Sequence, residues 1–194
     1  GAQRTVILFA AVSVVLFLIC FRSTRERIQP PASQKTTLRA DLGTLMTNPH
    51  WLMMFGVGLV NITFAVMRGT AGLYYLKNHL LWNEGRIATF FLVGGLAMVA
   101  GAALTRFAVG FVGRKQAFLG SMAVVGLTAI PFYWLQPDQT ALVFTCHIIG
   151  MVFAGINATL YWALVADTAD FGEWKFGVRT TGIIFSATTA SQKA

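Results

Sequence analysis

Asp167, Asp170 and Glu173 recur at i, i+3 and i+6 in "ADTADFGEWKFGVRTTG" (166–182), and Lys175 and Arg179 follow at i and i+4. Three of the seven acidic residues of the chain gather in this one stretch. On a helix the three carboxylates share a face. They can pair with the cations beside them or with Arg106, Arg114 and Lys115 of another polar segment. Two readings stay open. One is a set of solvated interfacial charges, where an exposed pair is worth about 0–1 kcal/mol. The other is a charge latch that holds two helix bundles shut. Asp167 abuts the apolar "LYWALVA", so partial desolvation is expected there.

Other polar residues stand inside apolar runs. Lys193 follows Thr189 by four residues and Ser186 by seven, so a hydroxyl stripe shares its helical face. An ionisable residue at membrane depth points to function. A lysine with hydroxyls around a cavity suits a polar solute such as a sugar; pairing with a carboxylate elsewhere is the bland alternative. Arg68 can face a cavity, line a solute path or snorkel outward. Asn61 can simply bond across helices. Tyr161 and Trp162 offer aromatic faces for a sugar ring, or belong to an interfacial belt.

Enzyme chemistry finds no support. His50, His79 and His147 are scattered, and no HExxH, CxxC, GxSxG or phosphate-cradling loop occurs. Cys20 and Cys146 sit in apolar runs without metal or disulfide spacing. No metal site, no covalent cofactor and no nucleic-acid partner is expected, and the chain is expected not to be an enzyme.

The elements that must position these residues are membrane helices. The chain has 194 residues, of which 56% are hydrophobic and 11% charged. Soluble domains carry about 25% charged residues. Apolar runs such as "TVILFAAVSVVLFLICF" are continuous and lack the alternation of barrel strands. The expectation is an all-α integral membrane bundle in contact with the lipid bilayer. Five full spans are expected near 4–21, 51–77, 87–112, 116–135 and 140–166, with part of a sixth from about 181. Gly94, Gly95, Gly101, Ala102 and Ala103 make the third span small-faced, a surface for close helix packing.

Between the first two spans lies the long polar connection 22–50. Pro30 and Pro31 interrupt it, and Leu38, Leu42, Leu45 and Met46 recur at helical spacing. A short amphipathic helix is expected there, ended by Asn48-Pro49. The formal net charge is +8. Ten cations fall in the alternate connections 22–50, 106–116 and 167–180, against three (Arg4, Lys77 and Arg86) in the opposite set. The positive-inside rule makes the first set cytoplasmic. The apolar run at the start has its positives after it, unlike a signal peptide. Both ends are expected to be cuts through a longer protein.

The stretch "ADTADFGEWKFGVRTTGIIFS" resembles the signature of the glycoside–pentoside–hexuronide:cation symporters, the melibiose permease group of the major facilitator superfamily. The pattern A-D-x-x-D-[YF]-G-E-[WY]-K-x-G-x-R-x-x-G-x-x-[YF]-S is met at Asp167, Asp170, Phe171, Gly172, Glu173, Trp174, Lys175, Gly177, Arg179, Gly182 and Ser186. "LRADLGTLMTNPHW", "MRGTAGLYYLKN" and "RFAVGFVGRKQAFLGS" are similar to other parts of the family, so the resemblance covers essentially the whole chain.

It implies a twelve-span carrier, here from span six to the middle of span eleven. Residues 1–21 correspond to the last span of the N-terminal bundle, 22–50 to the central cytoplasmic loop and 51–194 to a truncated C-terminal bundle. It further implies sugar:cation symport in a bacterial inner membrane. Lys193 and Thr189 match sugar-proximal positions, and Asp167, Asp170 and Arg179 match the cytoplasmic lock. The coupling cation, Na⁺ or H⁺, is expected to bind in the N-terminal bundle. Ala158 stands where the melibiose permease has an aromatic platform, so Tyr161 or Trp162 is the candidate substitute, and Arg68 is a candidate reader of an anionic sugar. The piece alone is expected not to transport. A non-transporting sensor or scaffold on the same fold is the alternative.

Overall fold

The computed structural model describes residues 2–24, 38–177 and 181–193. The chain divides into two compact units, Gly1–Thr36 and Thr37–Ala194. In the first, helix α1 (Ala2–Ser23) is apolar all round, and its described side chains from Gln3 onward are exposed. The proline-bearing part of the 22–50 connection lies outside the described residues.

Among the described residues, the α-helices of the second unit are α2 (Leu38–Met46), α3 (Pro49–Tyr74), α4 (Glu84–Val112), α5 (Arg114–Leu127), α6 (Thr140–Phe176) and α7 (Thr181–Ser191). With short terminal extensions on α3 and α5, five helices among the described residues are long and apolar enough to cross a membrane. Five helices stand at the expected spans, with shifts of two or three residues at most ends and a ten-residue extension of the fifth, from 166 to Phe176. On α2, Leu45 is buried while Leu42 and Met46 are exposed.

Local chemistry explains the boundaries. Asn48 caps α3, its Oδ1 accepting from Trp51 N at 3.1 Å, and Pro49 occupies the first turn, where no amide donor is needed. The Asn48 side chain also donates to Thr168 O at 3.0 Å, tying the start of α3 to α6. Gly113, with φ +80°, is the single residue between α4 and α5. The expected 106–116 loop thus shrinks to a one-residue turn flanked by helix. The expected 167–180 loop is likewise helix as far as Phe176, and Gly177 ends it at φ +69°. No proline interrupts that stretch, and a helix gains nothing by stopping at the bilayer edge. At 37 residues, α6 is about 56 Å long, well beyond the roughly 30 Å hydrocarbon core.

Helix α6 is the centre of the unit, in contact with α2, α3, α4, α5 and α7. Its seam with α4 has almost no side chains to spare. A β-carbon on Gly101 would lie 2.7 Å from the Val152 carbonyl carbon, and one on Gly155 would lie 2.9 Å from Ala102 N. Gly94 admits the His147 ring in the same way. Without a hydrophobic drive between helices in lipid, such close approach is what binds them. Two apolar clusters complete the core. One lies around Trp51, Phe118, Leu160 and Val165, the other around Leu76, Trp82, Phe90 and Leu135.

Candidate functional site

A cavity of about 380 Å³ opens among α3, α4, α5, α6 and the end of α7. Its wall is mostly apolar, with Phe64, Met98, Val125 and Ala154, and small residues at Gly126 and Ala158 leave the space. The polar groups on it are Asn61, Asn157, Tyr161, Trp162 and Gln192. An apolar hollow with a few convergent polar groups is the usual build of a small-molecule site.

The aromatic pair is held from several sides. Tyr161 is 3% exposed, and its hydroxyl donates to Met54 O at 3.4 Å. Gly58 of α3 leaves room for that hydroxyl. Gln192 lines the same cavity. Trp162 meets Tyr161 edge-on at 5.5 Å and stacks on Phe185 of α7 at 6.0 Å, nearly parallel. The two rings named from the sequence thus share one wall, beside Ala158.

The other expected substrate residues lie off that wall. Thr189 is half-buried and donates its hydroxyl to Phe185 O at 2.7 Å. Helix α7 ends at Ser191, and Lys193 N bonds Ala190 O at 3.1 Å in a turn. The four-residue helical register from Thr189 therefore does not reach Lys193, which is exposed next to the cavity residue Gln192. Arg68 follows the cavity residue Phe64 by one turn of α3. Its guanidinium rests on Gly150 of α6, where a β-carbon would lie 2.8 Å from Nη2 and 2.6 Å from Thr128 Oγ1. Arg68 Nη2 is buried and has no hydrogen-bond partner.

The charged residues gather at the opposite end of the unit. Arg114 Nη1 donates to both carboxylate oxygens of Asp167 at 3.1 Å. The two side chains are 59% and 46% exposed, so the expected desolvation of Asp167 is not found within this chain. Its neighbour Thr168 takes the buried side of the helix instead. Asp170 and Glu173 are exposed on the following turns, Lys175 lies over the Phe171 ring at 5.6 Å, and Arg106 lies over Phe107 at 4.5 Å. Arg179 lies outside the described residues. A double-mutant cycle of Arg114→Gln and Asp167→Asn, read by thermal unfolding, is expected to give a coupling of at most about 1 kcal/mol. A coupling well above that would contradict an exposed pair.

Sequence reasoning missed Asn157, Ser121 and Gln192. Each is one polar residue in an apolar run, and only packing decides which face it takes. The available signal was that Asn157 lies four residues before Tyr161, on the same helical face.

Residues 1–194 match the family described as MFS/sugar transport protein. The chain belongs to that family. Within this sugar-transport family, a glucuronide carrier protein homolog of Escherichia coli (strain K12) is 32% identical over 96% of the chain and 41% of its own length. A putative glycoside/cation symporter of the same strain is 28% identical over 93% of the chain and 39% of its own length. An isoprimeverose transporter of Lactiplantibacillus pentosus is 26% identical over 100% of the chain and 40% of its own length. The chain therefore spans about two fifths of the relatives that it matches. No solved structure matches it significantly. Family membership and the five apolar helices make it part of an integral membrane protein.

Proposed function

We propose that the whole protein is a secondary transporter of the bacterial inner membrane that imports a sugar or glycoside with a cation, Na⁺ or H⁺. The observation that carries this reading is the cavity at the junction of α3, α5, α6 and α7. It joins an edge-on Tyr161–Trp162 pair to three amide side chains. Aromatic faces suit the C–H surface of a sugar ring, and amides suit its hydroxyls. The names of the glycoside and isoprimeverose relatives point the same way.

In this reading Tyr161 and Trp162 carry the sugar ring, and Thr189 and Lys193 approach it from the end of α7. Arg68, one turn beyond the cavity, reads a negative group on the substrate; glucuronide stands in the name of one relative. Asp167, Asp170, Glu173, Arg179, Arg106 and Arg114 form the cytoplasmic latch against the N-terminal bundle. That bundle supplies the cation site, and alternating access needs both bundles around the solute. The piece alone does not transport.

The test is uptake by the full-length protein in proteoliposomes under Na⁺ or H⁺ gradients. The panel is the p-nitrophenyl β-glucoside, β-galactoside, β-xyloside and β-glucuronide. Gradient-driven accumulation of at least one is expected. No uptake and no binding of any of them would transfer weight to a sensor or scaffold on the same fold.

A further inference from the structure

Asn61 stands on the cavity wall, and its amide nitrogen is bonded to the neighbouring helix. The orientation follows from a chain of bonds across three helices. Ser121 Oγ donates its only proton to Phe118 O at 2.7 Å. It can then only accept from Asn157 Nδ2, 3.5 Å away. This leaves Asn157 Oδ1 to accept from Asn61 Nδ2 at 2.6 Å. Asn157 and Ser121 are both buried. The bonds of this chain all run inward, and Asn61 keeps for the cavity its carbonyl oxygen, an acceptor, beside its second N–H. Joining α3 to α6 needs only the bond from Asn61 to Asn157. The bond from Asn157 to Ser121 of α5 pins an already buried amide and so fixes where Asn61 points.

The other polar groups of the wall are differently placed. The Tyr161 hydroxyl donates to Met54 O, and Gln192 lies past the end of α7. The Trp162 indole is a donor only. A sugar presents hydroxyls that must donate somewhere, and a hydroxyl buried without an acceptor costs binding energy.

Resting on the symport reading above, we infer that Asn61 Oδ1 accepts a hydrogen bond from one particular hydroxyl of the transported sugar. Asn157 and Ser121 are the positioning residues that hold it there. The site thus discriminates sugars by the presence of that hydroxyl.

The experiment uses the full-length carrier and the tightest-binding member of the glycoside panel, together with its monodeoxy forms. Dissociation constants are measured for the unmodified protein, Asn61→Ala and Asn157→Ala. Asn61→Ala is expected to weaken the parent glycoside about tenfold. One deoxy form, itself about tenfold weaker on the unmodified protein, is expected to lose nothing further. Asn157→Ala, which cuts the brace and keeps Asn61, is expected to spare the same deoxy form while weakening the parent about threefold. Uniform losses across parent and deoxy forms in either variant overturn the inference and leave Asn61 as helix glue. If Asn61→Ala does not fold, the Asn157→Ala series decides alone. Should no panel member bind the unmodified carrier, the symport reading fails and takes the inference with it; binding with uniform losses removes the inference only.

Discussion

Gly101→Val is expected to leave little folded carrier after detergent extraction, while Gly95→Ala one and a half turns away melts like the parent. A side chain at Gly101 meets the Val152 backbone, not a movable side chain. Overpacking a core costs about 1–3 kcal/mol when side chains can give way. Here the obstacle is the helix itself, so α4 and α6 must separate along the seam that also holds Gly94 and Gly155. Helices in lipid associate through this packing, and its loss has no hydrophobic substitute. The expected cost is at least about 3 kcal/mol. A β-carbon at Gly95 meets nothing within 4 Å, and alanine even improves helix propensity there. Fluorescence-detected size exclusion after a heating series measures both. Matching midpoints for the two variants would remove the seam from the account of what holds this unit together.

Arg68→Ala is expected to separate substrates by charge. Uptake of p-nitrophenyl β-glucuronide should fall about a hundredfold, and that of the neutral β-glucoside should stay within about threefold. A guanidinium in a membrane interior is costly unless an anion meets it. Acidic residues are absent between Asp41 and Glu84, between Glu84 and Asp138, and between Asp138 and Asp167. The long helical interiors therefore supply no counter-charge, and Nη2 is sealed without a partner. In the symport reading proposed above, the substrate supplies the missing charge. Arg68→Lys keeps the charge and loses the planar fork, so it should recover only part of glucuronide uptake. Equal losses for both glycosides would make Arg68 a structural plug between α3, Thr128 and Gly150.

The apolar runs made the membrane helices legible, because backbone groups in lipid must be satisfied within each segment. The start of α3 was legible too, since Asn-Pro states both a cap and a first-turn residue. The end of α6 was not. Charged residues at 167–176 look like a loop to a hydropathy argument, yet a helix can run on past the bilayer edge, and it ends where Gly177 takes the left-handed conformation. The cavity was half legible. Tyr161 and Trp162 stood out by size, whereas Asn157 and Gln192 gained meaning only once α3, α5 and α7 lay against them. Lys193 drew attention by its charge, but its place depends on where α7 unwinds, and Ser191-Gln192 announces no helix end.

The length of α6 gives it the mechanics of a lever. Tyr161 and Asp167 are six residues apart on one unbroken rod, about 9 Å along its axis. No hinge separates the group on the cavity wall from the group paired with Arg114. A rocking of α6 by about 10° about Tyr161, relative to α5, displaces Asp167 by roughly 1.6 Å, which carries a 3.1 Å hydrogen bond beyond bonding range. In the symport reading proposed above, solute occupancy at one end and strain in the Arg114–Asp167 pair at the other are two readings of a single tilt angle, passed on by geometry without a relay of side chains.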